Sequence, residues 1–238
     1  MNKSFIICIA LAIALDFSIL CGQNTDSALV YKLRYDSLYG MDPQLFNGIK
    51  YFPEHSLARG YPFWQDNQPM KADLVYSGRY YKNLKIKYNL YIQEFILEYA
   101  DQFGGLQQLI LNRSNIDSVF INNTLFIRNK YSDIKEYFLQ VIHEDKISCY
   151  FTWKKEYRFN NTGVEVGHEY SDEMVTSYIV KNGRVYVFAN NRSFLKIFPE
   201  DSRDSIREYM KDNRINVKKK MQADVKKLCV FCNKPDTE

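Results

Sequence analysis

The chain has 238 residues, 46% of them hydrophobic and 16% aromatic, with 19 Tyr, 16 Phe and a charged fraction of 25%. That composition excludes a disordered chain, and because Tyr and Phe favour half-buried pleated surfaces it leans toward β structure. The net charge of +4 belongs to one end: residues 191–238 hold 12 Lys and Arg against 8 Asp and Glu, while the rest balances at 20 of each. So small a surplus, interleaved with acids, is not the dense basic stripe of a nucleic-acid reader, and it reads as the solvated face of a helix.

The N-terminus has the layout of a secretory signal. Met1, Asn2 and Lys3 precede an apolar run from Phe5 to Leu15, and Cys21-Gly22-Gln23 follows as a cleavage region. The run is too short for the about 20 apolar residues of a spanning helix. Cleavage after Gly22 is expected. Acylation of Cys21 ranks second, because Leu20 stands where a lipoprotein signal wants a small residue. This predicts a signal over 1–22, an antiparallel β domain over 23–190 and a helical segment over 191–238 packed on the same domain.

From Leu45 onward short strands alternate with turn signals. Asn47-Gly48 reads as the turn of a tight hairpin between Leu45-Phe46 and Ile49 to Phe52. Leu74 and Tyr76 lead to a Ser77-Gly78 turn, and Lys82-Asn83 reads as a further turn. Leu84, Ile86, Tyr88, Leu90 and Ile92 then hold period two, and Phe95, Leu97 and Tyr99 continue it. Strict alternation of this kind argues an antiparallel sheet with one face buried. The meander runs on through 106–111, 116–121, an Asn122-Asn123 turn, 125–127, 137–142, 147–153 and 156–159. The polar stretch 160–172 reads as a flexible insertion, and a hairpin through Asn182-Gly183 closes the β region.

After Asn190 the period becomes helical. Ser193 is expected to cap a short helix, Asp201 or Ser202 a second reaching Asn213, and a third is expected from about Val217. On the last, Val217, Met221, Val225, Leu228, Cys229 and Cys232 share a stripe opposite Lys219, Lys220, Lys226 and Lys227. The fold class is therefore α+β: mainly an antiparallel meander, a curved sheet or partly closed barrel, with C-terminal helices.

No motif fixes a reaction. Cys229-Val-Phe-Cys232 lacks the two further ligands that zinc requires, and it lies at the end of a helix rather than at the helix start that would activate a thiol. His143-Glu144-Asp145 lacks the second His of a metalloprotease and reads as a hairpin turn. His168, with Glu165 and Glu169, is the only acid/base grouping worth naming. Glu94 and Glu98 fall on one strand face and read as solvated. No catalytic or metal-binding residue and no cofactor is assigned. Tyr61, Phe63 and Trp64 are the candidate ligand-binding residues: a buried plug at one end of the sheet is the first reading, and exposed rings stacking on sugars or dipping into lipid the second. Asn112, Asn122, Asn160 and Asn191 head Asn-x-Ser/Thr sequences, which count only in a glycosylating secretory pathway.

The hairpin Tyr178 to Phe188 through Asn182-Gly183, then Ser193-Phe-Leu-Lys-Ile-Phe-Pro199 and a basic helix, resembles uncharacterised secreted proteins of Gram-negative bacteria. The resemblance covers about the last third of the chain firmly and the meander loosely. It implies a periplasmic or extracellular setting, associated with the outer membrane or not, and carries over no site residue. The function expected is non-enzymatic binding or scaffolding in the cell envelope, toward an envelope protein or an apolar ligand. Membrane-surface association is compatible with this, and nucleic acid is not. The alternatives are a carrier holding an apolar ligand in a half-open barrel with Tyr61, Phe63 and Trp64 at its mouth, and a hydrolase using the loop near His168.

Overall fold

The computed structural model describes residues 42–101, 103–161 and 166–234. The segment read as a signal lies outside them, as does the residue proposed to begin the mature chain. The chain divides into two units, 1–46 and 47–238. In the first, Asp42 organises a turn by accepting from the backbone of Gln44 and Leu45.

The second unit is built from β1 (Ile49–Lys50), β2 (Met70–Tyr76), β3 (Arg79–Asn89), β4 (Glu94–Ala100), β5 (Leu106–Ile110), β6 (Ile116–Ile121) and β7 (Thr124–Arg128). It continues with β8 (Phe138–His143), β9 (Ile147–Lys154), β10 (Tyr157–Asn160), β11 (Gly167–Tyr170), β12 (Met174–Lys181) and β13 (Arg184–Phe188). Three helices follow, α1 (Asn191–Leu195), α2 (Glu200–Asp212) and α3 (Gln222–Cys232). Eleven strands form one antiparallel sheet in the order β1-β5-β4-β3-β2-β6-β7-β8-β9-β12-β13, and β10 and β11 form a separate hairpin.

The meander grows outward from β2 in both directions, so β5 and β6 are consecutive in the chain yet four strand spacings apart. The sheet is open, because β1 and β13 end it without pairing to each other, and it is strongly curved. Phe95 on β4 and Phe138 on β8 are five spacings apart, about 24 Å in a flat sheet, yet their ring centroids lie 4.8 Å apart. Tyr88, Phe126 and Trp64 fill the same concavity, with Tyr88 and Phe126 at 5.3 Å and Trp64 and Phe126 at 5.0 Å. This face continues through the paired Phe126, Gln140 and Phe151 to a half covered by the helices. There Cys149, Phe151, Ile179 and Phe188 pack with Phe194, Ile206, Val225, Leu228, Cys229 and Cys232.

The α+β meander with C-terminal helices is thus observed, and its local turns follow the chemistry expected of them. Ser77-Gly78, Asn122-Asn123 and Asn182-Gly183 all take positive φ, the geometry of two-residue hairpin turns. Five local expectations are corrected. Ile49–Lys50 pairs with β5, so Asn47-Gly48 is not a hairpin tip; a Cβ on Gly48 would collide with the Ile110 carbonyl, and only glycine permits that approach. Lys82-Asn83 is a bulge inside β3: Asn83 takes φ 55° and its N–H donates to Asp73 Oδ1 at 3.0 Å. The alternation from Leu84 to Ile92 is broken at 90–93 by a turn with no Gly or Pro, closed by Asn89 Oδ1 accepting from the N–H groups of Tyr91 and Ile92. The polar stretch 160–172 contains β11, while residues 162–165 lie outside the described residues.

The fifth correction concerns the helices. Asn190, not Ser193, caps α1, with Ser193 reciprocating in a capping box. Pro199 precedes α2 without a side-chain cap. Val217–Lys219 is a separate 3-10 turn, ended by Lys220 in the left-handed region, so α3 begins only at Gln222. Val217, Val225, Leu228, Cys229 and Cys232 are buried as the stripe requires, whereas Met221 is exposed.

Candidate functional site

On the opposite face of β3, β4 and β5 the side chains of Lys85, Lys87, Asn89, Glu94, Ile96, Glu98 and Gln108 share one side, as the register dictates. Segment 51–63 crosses over this face. It is tied to β5 by Tyr51 N–H donating to Gln108 O at 2.9 Å, and to β3 by Trp64 N–H donating to Tyr88 O at 2.9 Å and Leu90 N–H donating to Pro62 O at 2.8 Å. Residues 62–64 therefore prolong the edge that β2 occupies, and strand alternation sends Phe63 and Trp64 to opposite faces.

That alternation splits the three candidate residues. Trp64 is fully buried in the concavity, edge-on to Phe126 and Trp153. Phe63 is buried on the outer face, edge-on to Tyr51 at 6.2 Å. Tyr61 is half-exposed at the rim, with its hydroxyl donating to Gln65 O at 2.9 Å. Trp64 plugs the sheet, while Tyr61 and Phe63 line a cleft of about 250 Å³ together with Tyr51, His55, Lys87 and Tyr170. Gln108 and Asn67 complete its polar edge.

The hairpin β10–β11 forms the far wall. Arg59 N–H donates to His168 O and Tyr170 N–H to Arg59 O, both at 3.0 Å. Rings continue the attachment: His55 stacks on Tyr157 at 3.6 Å, and Tyr157 stacks on His168 at 5.0 Å. The Glu169 carboxylate accepts from Arg59, from Arg158 at 3.0 Å and from Asn160 at 3.2 Å, and these bonds, Arg59 first, hold its pKa below the usual carboxylate range. Glu169 is thus committed to structure and His168 to a ring stack, while Glu165 lies outside the described residues.

Two lysines sit within the aromatic cluster. Lys155 Nζ donates to Tyr61 O at 3.0 Å and lies 4.4 Å from the Tyr61 ring centroid. Lys87 Nζ lies 4.1 Å from the Phe63 ring centroid, a cation–π distance. Burial pushes both lysines below the ordinary value, opposed by Glu98 for Lys87 and by Glu173 for Lys155. Burial likewise raises Tyr51, and it pushes the Tyr170 hydroxyl up to about 12, so both phenols keep their protons at neutral pH.

Elsewhere the remaining candidates fall into structural roles. Glu94 and Glu98 share a face as expected, but they are largely covered rather than solvated, and burial raises the Glu94 pKa against the pull of Arg113 at 3.2 Å. Glu144 in the 144–146 turn accepts from Tyr150 Oη at 2.8 Å. Cys149, Cys229 and Cys232 are buried, and burial raises the pKa of Cys232. Among the described residues no group of His, Cys, Asp and Glu is arranged to hold a metal, and no helix is long and apolar enough to cross a membrane. The sequence pattern passed over Lys87, Tyr51, His55 and Tyr170; the dense aromatic run beside them was the one signal pointing to the cleft. Comparison of the chain with protein-family models, with curated proteins and with solved structures finds no match.

Proposed function

We propose that this is an exported binding protein of the cell envelope, non-enzymatic, whose ligand site is the cleft between segment 51–63 and the hairpin β10–β11. One observation carries the reading: rings from three separate stretches of chain, Tyr51 and His55, Tyr61 and Phe63, and Tyr170, converge beside a buried lysine around an open cavity, with Tyr157 stacked behind His55. Clefts lined by rings with a few placed polar groups are the usual form of a small-ligand site. The signal-like N-terminus and the resemblance of the last third to secreted Gram-negative proteins support the envelope setting. The concavity that a carrier would use is occupied by Tyr88, Phe95, Phe126 and Phe138, which favours the cleft over the carrier reading.

Native mass spectrometry of the protein purified from an envelope fraction tests the proposal. The expected result is a chain beginning at Gln23 that retains a small molecule, with retention lost in Tyr61→Ala. A chain beginning at Met1 in the cytosolic fraction would overturn the setting, and retention unchanged in Tyr61→Ala would overturn the site.

A further inference from the structure

We infer that the cleft takes a ligand residue bearing an oxyanion on a small ring, with a carboxylated sugar as the class its chemistry fits. This rests on the binding reading of the same cleft and adds the ligand's charge and size. Three donors in the cleft have protons with no acceptor among the described residues. Lys87 is only 7% exposed, yet its ammonium makes no hydrogen bond or ion pair there; it meets the Phe63 ring and feels Glu98 at longer range. Tyr51 Oη accepts from Asn89 Nδ2 at 3.4 Å, which leaves its own proton without an acceptor, and the Tyr170 hydroxyl at the cleft makes no hydrogen bond among the described residues.

Lys87 Nζ and Tyr170 Oη are not sealed from solvent in the open cleft, so water takes their protons there, and a ligand that displaces this water must bring acceptors of its own. The acids nearby do not supply them. Glu98 accepts from Gln108 Nε2 at 3.1 Å and lies 3.9 Å from Lys85, while Glu169 is held by its two arginines. An oxyanion supplies what is lacking: several lone pairs and a negative charge, in bonds roughly twice as strong as neutral ones. The volume of about 250 Å³ lies below that of sites for whole drug-sized ligands, so a single ring-sized residue fits. The half-exposed Tyr61 ring and the side-chain amides of Gln108 and Asn67 offer a stacking surface and partners for ring hydroxyls.

Calorimetric titration of the full chain with glucuronate, glucose and inorganic phosphate tests the inference. Glucuronate should bind at least about tenfold tighter than glucose, the difference one charge-assisted hydrogen bond supplies. Lys87→Met should erase that difference, Lys87→Arg should retain it, and Lys226→Met on the distant α3 should leave it unchanged. If Lys87→Met does not fold, Tyr170→Phe removes one donor without touching the charge and should weaken glucuronate but not glucose. Equal binding of the two sugars would overturn the charge inference and leave the cleft reading intact. Phosphate binding as tightly as glucuronate would overturn the ring assignment. Failure of all three to bind would overturn the inference, and the cleft reading falls with it only if Tyr61→Ala also leaves retention of the natural ligand unchanged.

Discussion

Two segments cover the sheet, on opposite faces and at opposite ends, and they bury different chemistry. The helices bury an apolar surface on β8, β9, β12 and β13: Cys149, Phe151, Ile179 and Phe188 meet Phe194, Ile206, Val225 and Leu228. Segment 51–63 covers β3, β4 and β5 with a much smaller apolar cluster, Tyr51, Phe63 and Ile96, and beneath it lie Lys87 and Asn89. Burial of apolar area stabilises a fold, whereas burial of an ammonium without a partner opposes it. The first cover is therefore explained by stability alone. The second is not, and for that reason the functional reading is placed there.

The largest effect should come from the helical cover. Leu228→Ala removes a fully buried side chain from the α3 stripe and leaves a cavity, so urea unfolding should show a loss of about 2–5 kcal/mol. A smaller loss would mean that the helices are held less by packing than the contrast requires. Gly48→Ala should come next, and it strikes the other cover at its start, where a Cβ would collide with the Ile110 carbonyl. Overpacking of this kind costs about 1–3 kcal/mol. The same variant should open segment 51–63 to limited proteolysis while α3 stays protected. Simultaneous cleavage of both would show that the two covers unfold as one unit.

The same contrast explains how much was legible in the sequence. Ile86, Tyr88, Phe95 and Leu97 declare a buried face through their spacing, and Val225, Leu228 and Cys232 through theirs, because an apolar cover is written into both partners. Asn182-Gly183 declares its turn because few residue pairs accept two positive φ values. Lys85, Lys87 and Asn89 occupy the alternate positions and read as solvated. Lys85 is exposed, but Lys87 and Asn89 are covered by segment 51–63, whose crossing depends on backbone bonds to Gln108, Tyr88 and Leu90 that no local pattern encodes. The turn at 90–93 was hidden likewise: side chains of Asn89 and Gln93 close it while Leu90 and Ile92 keep up the apolar alternation. Tyr61, Phe63 and Trp64 stood out as a run, but their division between rim, outer face and concavity follows only once they are known to be strand-paired.

Lys87 provides the third and opposite effect. Met in place of Lys87 keeps the stem's packing and removes the desolvation of the ammonium at the cost of its cation–π contact with Phe63, so Lys87→Met should stabilise the unliganded protein only slightly, by less than about 1 kcal/mol. Because the Lys87 pKa is lowered from 10.5, the unfolded state holds more protons than the folded state between the lowered value and 10.5. The contribution of Lys87 to stability should therefore rise with pH through that alkaline window, with Lys155 acting in the same sense. Lys87→Met should flatten the rise. Because the raised Tyr51 and Tyr170 lower stability as pH climbs past 10, the difference between parent and Lys87→Met carries the test, and a difference that falls across the window would contradict the burial of Lys87.

The smallest effect should be at Lys227, which neighbours Leu228 in the chain but points into solvent. Lys227→Ala should change stability by less than about 0.5 kcal/mol, since an exposed helical lysine away from any cap or ion pair has little to lose. Set beside Leu228→Ala it separates two uses of one amphipathic helix. If α3 is a cover, the apolar variant destabilises, the basic variant does not, and neither changes association with vesicles of anionic lipid. If the stripe instead met a membrane, Leu228→Ala would leave unfolding in solution nearly untouched and abolish vesicle binding, while Lys227→Ala would weaken that binding in a salt-dependent way. The burial of Val225, Leu228, Cys229 and Cys232 against β8 and β9 favours the first outcome. The second would also remove the contrast between the two covers, because the helical one would then bury its apolar face for a partner rather than for the fold.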